Sequence, residues 1–470
     1  MSDSNYNHLT TLQSDTNDFQ RDLGLKDGIS ILTGIMIGSG IFYLGSYVLM
    51  RSGMSLGLAL LCWLIGGLVT LLSGLCYAEL GAMLPRAGGS YVYLREAFSP
   101  ALAFMSGFSS LLLSGSGSIA GLAIAFASMT NSLFPNSPFT TWQEKALAIG
   151  AIIFLTILNR YGVKLGALIQ NIFTFAKLIP IIIIICLGLL TGTQQPDISI
   201  LSTVTSISLT NLLSMIALGV VATLWAYEGW VNLNSVSEEI REPRKNLPMA
   251  IIFSILGVMV IYFLFNLAIY RVLPFDFISQ ELETGNLYLG TAAAQSLLGE
   301  NGRLMVSLGM LVAVFGSLNG CILVFPRSYY AMAKEGALFN NLGKLHHQYK
   351  TPNNALWVSM SFSILLVLAR DLNQLTNLVV FSGMIYKTLT FYAVIKLRKR
   401  YPELSRPYKV TAYPYTVYLT IAIMIALMLN TLYNDPFTSI LGLIVPLIGY
   451  VIYFLNKHFS EKNLIVSPGD

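Results

Sequence analysis

Charge is scarce in this sequence. Of its 470 residues only 11% are Asp, Glu, Lys or Arg, while 54% are hydrophobic, and the mean hydropathy is +0.66. A soluble domain carries roughly 25% charged residues, so most of this chain faces lipid or other apolar surface. Histidine is equally sparse. His8, His346, His347 and His458 all fall outside the apolar runs. That argues against a His proton relay or a His-ligated metal at membrane depth, and no cofactor is implied. The cysteines, Cys62, Cys76, Cys186 and Cys321, all lie inside apolar runs, so they do not form an extracellular disulfide framework. A secretory leader is also missing. The first 20 residues are polar, without a basic stretch followed by an apolar one, so the first apolar run is the expected insertion signal. The net charge of +5 does not suggest a nucleic-acid partner.

What the chain has in quantity is apolar length. A helical membrane span needs ~20 residues, and about twelve such runs occur. They fall at roughly 27–51, 54–82, 100–127, 143–161, 163–192, 209–240, 247–273, 301–333, 353–370, 372–396, 411–433 and 436–456. The expected fold class is an all-α polytopic membrane protein embedded in a lipid bilayer. Basic residues concentrate in alternate connections, among them Arg86, Arg95, Arg241, Arg244, Lys245, Arg398, Lys399 and Arg400. The other side holds only Arg51, Lys145, Arg271, Arg303 and Arg370. The positive-inside rule then places both termini in the cytoplasm, which requires an even number of spans, in a cell membrane. Residues 1–26 form an N-terminal tail, expected to be disordered over about 1–20, and 457–470 a C-terminal one. Of the outer polar stretches, 276–299 is long enough for an interfacial helix.

Two runs are built to be interrupted. The first contains Gly34-Ile35-Met36-Ile37-Gly38-Ser39-Gly40-Ile41-Phe42. Glycines and a serine gathered at mid-depth free backbone groups that lipid cannot satisfy. A small zwitterionic or ionic solute is the expected occupant. The sixth run contains Trp225-Ala226-Tyr227-Glu228-Gly229-Trp230 and continues through Asn232 and Asn234 to Glu238-Glu239-Ile240-Arg241-Glu242-Pro243-Arg244-Lys245. An acidic residue at a span centre costs roughly 2.5–3.5 kcal/mol, so Glu228 implies a wet cavity, a partner or a raised pKa. Each motif alone is also compatible with helix packing through small residues. Together they lie five spans apart, as expected if spans one to five and six to ten are inverted repeats with discontinuous helices one and six.

These motifs carry a resemblance. Gly38-Ser39-Gly40-Ile41-Phe42 resembles the span-one signature of the amino acid–polyamine–organocation superfamily. Trp225 to Trp230, with Asn234 and Glu238-Glu239, resembles its L-type amino acid transporter branch. Three further segments fit that branch: Cys76-Tyr77-Ala78-Glu79-Leu80 through Pro85-Arg86-Ala87-Gly88-Gly89 to Tyr93-Leu94-Arg95-Glu96-Ala97-Phe98, then Lys245-Asn246-Leu247-Pro248, then Phe315-Gly316-Ser317-Leu318-Asn319-Gly320. The similarity runs from about residue 23 to 409. It implies a ten-helix transport core over 27–396 and two additional helices over 397–456, preceded by a basic loop.

The resemblance implies a secondary carrier for L-amino acids working by alternating access. In such a carrier Gly38, Ser39, Gly40 and Ile41 hold the substrate carboxylate at the positive start of the outer half-helix. Carbonyls near Met36, Ile37, Trp225, Ala226 and Glu228 suit its ammonium. Trp225 is a gate or wall residue by resemblance, and an ordinary packed aromatic on the sequence alone. Lys177, in the middle of span five and too deep to snorkel, matches a lysine that replaces the cation of sodium-coupled relatives. The other role open to it is a structural pair with a carboxylate. Sodium-independent transport follows from the resemblance, as an exchanger or a proton-coupled symporter. Glu228 departs from the glycine of many relatives, either to select substrate side chains or to serve a local polar network. Val231 departs from a common asparagine. Lys387 is expected to reach the inner interface, Glu79 to pair with Arg86 or a neighbouring loop, and 238–245 to form part of an inner gate.

Other classes fare worse. A sensor with a transporter fold, the alternative, usually has longer signalling tails. An enzyme needs a catalytic constellation at membrane depth, and the deep ionisable residues Lys177, Glu228 and Lys387 do not compose one. The loop 130–144, where eukaryotic members join a glycoprotein subunit, has no cysteine, so no disulfide-linked heavy subunit is expected.

Overall fold

A bilayer offers backbone N–H and C=O groups no partner, and a helix satisfies them within one segment. The apolar runs accordingly become helices. The computed structural model describes residues 18–134, 138–200, 208–369, 372–434 and 436–465. Span one is two helices, Leu25–Met36 and Gly40–Arg51, meeting at 53°. Spans two to six are Leu56–Met83, Pro100–Asn131, Thr141–Arg160, Val163–Thr191 and Leu209–Ala226. Spans seven to twelve are Pro243–Val272, Glu300–Lys334, Asn353–Ala369, Leu372–Arg400, Tyr415–Asn434 and Pro436–Ile465. Several begin where the sequence provides an N-cap. Ser55 accepts from the N–H of Leu58, and Ser99 from Leu102, with Pro100 following it. Thr140 and Gln143 bond reciprocally. Such caps satisfy N–H groups that the first helical turn leaves free.

The packing has internal symmetry. Span two lies along span seven, its counterpart five positions on, and the packing of span five on span eight is matched by that of span ten on span three. Spans eleven and twelve lie outside this core. Span eleven touches spans two and ten; span twelve touches spans three and ten.

Several boundaries differ from the sequence expectation. Span six ends at Ala226 rather than near 240. A turn follows, then a tight 3-10 segment, Asn232–Glu239. Gly229 adopts φ +121° in that turn, a conformation that side-chain-bearing residues avoid, and the Asn and Ser residues beyond it favour turns over helix. The outer stretch folds as two short helices, Phe275–Glu283 and Leu289–Leu298, and an unforeseen helix, Ser90–Ala97, lies between spans two and three. The expected disordered tail falls, for 1–17, outside the described residues, as do the side chains beyond 455. Residues 18–20 are ordered, with Phe19 buried against Ala87 and Tyr330.

Candidate functional site

The break in span one begins where Ile37 leaves helical geometry and ends at Ser39. Its floor is formed by other spans pressing close. A Cβ on Gly34 would lie 1.9 Å from the Gln170 amide nitrogen and 2.6 Å from the Thr174 hydroxyl, so only glycine lets span five approach here. The last turn of the inner half-helix leaves carbonyls without intrahelical donors, and three side chains supply them. Lys177, fully buried, donates to the carbonyls of Gly34 at 2.5 Å and Ile37 at 2.6 Å. Ser317 donates to Gly34 O at 2.9 Å. Tyr262 of span seven places its hydroxyl 3.0 Å from Met36 O and 2.9 Å from Ala226 O. One hydroxyl thus ties the end of the inner half of span one to the end of span six.

The Lys177 ammonium sits at a helix C-terminus, where the peptide dipoles favour a cation. Its hydrogen bonds run to carbonyls rather than to a carboxylate, unlike the structural ion pair that the sequence left open. Of the expected ammonium acceptors, Met36 O takes both the Tyr262 hydroxyl and the N–H of Gly38 at 3.0 Å, whereas Ile37 O and Ala226 O each face one protein donor. A carbonyl oxygen has two lone pairs, so one acceptor direction remains at Ile37 and at Ala226 and none at Met36.

The outer half-helix starts bare. Ser39, at its N-cap, makes no side-chain capping bond, and the N–H of Phe42 turns back to Ser39 O at 3.1 Å. The N–H groups of Gly40 and Ile41 therefore have no intrahelical partner. Gly38, Ser39 and Gly40 are partly solvent-exposed, whereas Ile37 and Ile41 on either side are buried. Trp225, near the end of span six, is half-buried and lies beside Tyr43 of the outer half-helix. A Cβ on Gly38 would meet only the Ser317 hydroxyl, at 3.6 Å. The break is therefore partly accessible, and anion-favouring N–H groups lie at its accessible residues.

Glu228 is the outlier in the turn that follows span six. Its neighbours Ala226, Tyr227 and Trp230 are buried, yet its side chain is 48% exposed. It bonds through Oε1 to Lys387 of span ten. Lys387 therefore does not extend to the interface as expected; an acidic partner at its own depth holds it. Beneath the site lies an aromatic cluster in which Trp63, Tyr227 and Tyr262 meet edge-on or tilted at 5.1–6.1 Å. Farther along, Asn319 bridges Asn159 and Gln170 at 2.8 Å each, joining spans four, five and eight.

The basic end of the bundle is closed. Arg327, buried in span eight, makes a forked pair with Glu239 at 2.7 and 3.2 Å and also donates to Leu323 O. Arg86 faces Glu238 at 3.6 Å rather than Glu79. Glu79 instead receives Arg398 at 2.7 and 2.6 Å and the N–H of Val410 at 2.6 Å. The segment before span one lies across this end. Asp18 accepts from Tyr330 at 2.7 Å and pairs with Lys334 at 3.0 Å; Asp22 pairs with Lys164 at 3.0 Å. Leu23 forms a bridge with Ile240. Burial opposes ionisation of Asp18, but the Tyr330 and Lys334 bonds prevail and hold its carboxyl below the usual value. At Glu238 burial dominates and raises the carboxyl, against the pull of Arg86.

Sequence reasoning did not assign Tyr262, Ser317 or the strap residues Asp18 and Phe19. Tyr262 carried one usable signal, a hydroxyl at mid-depth of an apolar run. Ser317 lay inside a quoted motif without a partner. Asp18 and Phe19 sit in a polar tail that offered no pattern.

Comparison with known proteins bears on this geometry. A sequence model of the family described as "Amino acid permease" matches residues 23–454. The serine/threonine exchanger SteT of Bacillus subtilis is 32% identical, over 94% of this chain and 98% of its own. The b(0,+)-type amino acid transporter 1 of Mus musculus is 31% identical, over 97% and 92%. The cystine/glutamate transporter of Homo sapiens is 32% identical, over 94% and 86%. The chain belongs to the amino acid permease family, within the amino acid–polyamine–organocation superfamily. It is a multi-pass membrane protein that transports amino acids, not an enzyme.

Proposed function

We propose that this permease is a sodium-independent amino acid exchanger that holds its substrate between the two helix breaks. The observation that carries the reading is the opposed polarity at the span-one break. Uncapped N–H groups at Gly40 and Ile41 suit a carboxylate, and residual acceptor capacity at Ile37 and Ala226 suits an ammonium. Trp225, half-buried near the end of span six, serves as the lid. Lys177 supports sodium independence, because its ammonium already supplies the positive charge that the end of the inner half-helix calls for.

The basic end faces the cytoplasm in this reading, with both termini inside a cell membrane. The closed contacts at Glu239, Arg327 and Asp18 then form the inner gate, and the accessible break at Gly38 opens outward. Residues 27–396 are the moving core, and 397–456 flank it. All four cysteines lie within helices, which supports a chain with no disulfide-linked partner.

The test is uptake of labelled amino acids by purified protein in liposomes. Internal amino acids are varied, sodium is exchanged for potassium, and a pH gradient is imposed or omitted. Exchange predicts uptake that requires an internal amino acid and ignores sodium. A sodium requirement, or uptake into empty liposomes driven by a proton gradient alone, would overturn it.

A further inference from the structure

Two opposite charges touch in the turn that follows span six, two residues beyond Ala226. We propose that the Glu228–Lys387 pair is the side-chain recognition element of this carrier, and that it selects uncharged amino acids whose side chains carry a hydroxyl or a carboxamide. The inference rests on the amino acid carrier reading above and adds the substrate class.

Position comes first. Glu228 lies two residues beyond Ala226, whose carbonyl converges with that of Met36 on the Tyr262 hydroxyl. A zwitterion held at the two breaks therefore projects its side chain near Glu228. The Glu228 side chain is 48% exposed and that of Lys387 13%, so the carboxylate end of the pair is accessible rather than sealed in a core, and a third group can reach it.

Charge comes second. Lys387 meets Glu228 directly, and the pair presents no net charge. Tyr77 of span two and Cys321 of span eight lie within electrostatic reach of Glu228, and neither adds a formal charge in its protonated form. A cationic substrate side chain would have to compete with Lys387 for the carboxylate and leave an ammonium unpaired beside it. An acidic one would do the reverse. In a low-dielectric setting either loss is heavy.

Chemistry comes third. The ammonium has three N–H donors and the carboxylate two acceptor oxygens, while the contact uses Oε1 alone. A hydroxyl or an amide, able to donate and accept at once, bonds both partners without separating them. An aliphatic side chain satisfies neither and pays desolvation for both.

The experiment uses the full-length protein in liposomes and compares uptake of serine, glutamine, leucine, arginine and glutamate, each exchanged against internal serine. Wild type should favour serine and glutamine over both charged substrates by about tenfold or more. Lys387→Gln should raise the arginine-to-serine ratio by about tenfold, and Glu228→Gln the glutamate-to-serine ratio by a similar factor. The exchanged pair Glu228→Lys with Lys387→Glu should return both ratios toward wild type. A wild type that prefers arginine, glutamate or leucine overturns the proposal without any variant. So do single variants that carry serine with both ratios within twofold of wild type. Wild-type protein that carries no amino acid at all refutes the carrier reading instead, so the two failures are distinguishable.

Discussion

Lys177 is where the geometry makes its most quantitative demand. Replacing it with Met keeps much of the apolar stem and removes the ammonium that donates to Gly34 O and Ile37 O. Gly34 O keeps the Ser317 hydroxyl at 2.9 Å, so its loss is partial. Ile37 O loses its side-chain donor. A buried acceptor left without a partner costs about 1–3 kcal/mol, and a favourably placed cation at a helix C-terminus is worth up to ~2 kcal/mol. Removing a buried charge returns part of this, because the desolvated ammonium was itself costly. The net is about 2–3 kcal/mol against the bent form of span one, which is roughly 30- to 150-fold in its population. Exchange by Lys177→Met in liposomes should fall by that factor. The purified protein should remain monodisperse, since the helices on both sides of the break persist. Exchange within threefold of wild type would refute the claim that this ammonium holds the break.

Four further outcomes follow from the same structure. Trp225→Ala should leave folding intact and weaken substrate retention about tenfold or more, read as the Kd for labelled substrate on purified protein; an unchanged Kd would remove the lid role. Glu239→Gln leaves Arg327 buried without its forked partner, and losing one member of a buried pair costs about 3–5 kcal/mol, so thermal unfolding should shift down by several degrees. Asp18→Asn should increase labelling, from the basic side, of a cysteine introduced at Ala87; acidification to pH 5 leaves Asp18 ionised, so any increase it causes comes from Glu238, whose carboxyl is raised, and should vanish in Glu238→Gln. The sign follows from the lowered Asp18 pKa: the contribution is present above the ordinary value of 3.8 and is lost only as pH falls through the lower folded value. Gly34→Ala should slow exchange, because the new methyl would displace the Gln170 amide, 1.9 Å away, and the Thr174 hydroxyl; near-normal rates would mean that these two side chains can move aside without disturbing the break.

Both interruptions were legible because each is an anomaly against a uniform background. Glycines clustered at 34–40 and a carboxylate at 228 stand out in apolar runs, and helix energetics in lipid gives such anomalies one main explanation. The length of span six was not legible. Hydropathy stays high enough through Trp230 to suggest a helix to 240, whereas Gly229 and the Asn and Ser residues after it end the helix at Ala226. Contacts between distant spans were out of reach for a different reason. Glu79 was expected to meet Arg86 or a neighbouring loop; it meets the loop after span ten through the N–H of Val410, but its main partner is Arg398 of span ten, not Arg86. Lys387 looked like an interfacial lysine until folding set it against Glu228, 159 positions away. One chain gives the residue types at each depth, but not which faces turn toward each other.

Ile35 has a mechanical consequence. Added methyls at Gly229 and Gly320 would come within 2.6 and 2.5 Å of its side chain, so this isoleucine packs closely between the turn after span six and span eight. Any movement of span one against these two neighbours has to carry this side chain across two glycine surfaces, so trimming it to alanine should loosen the contact, while a side chain at either glycine should crowd it.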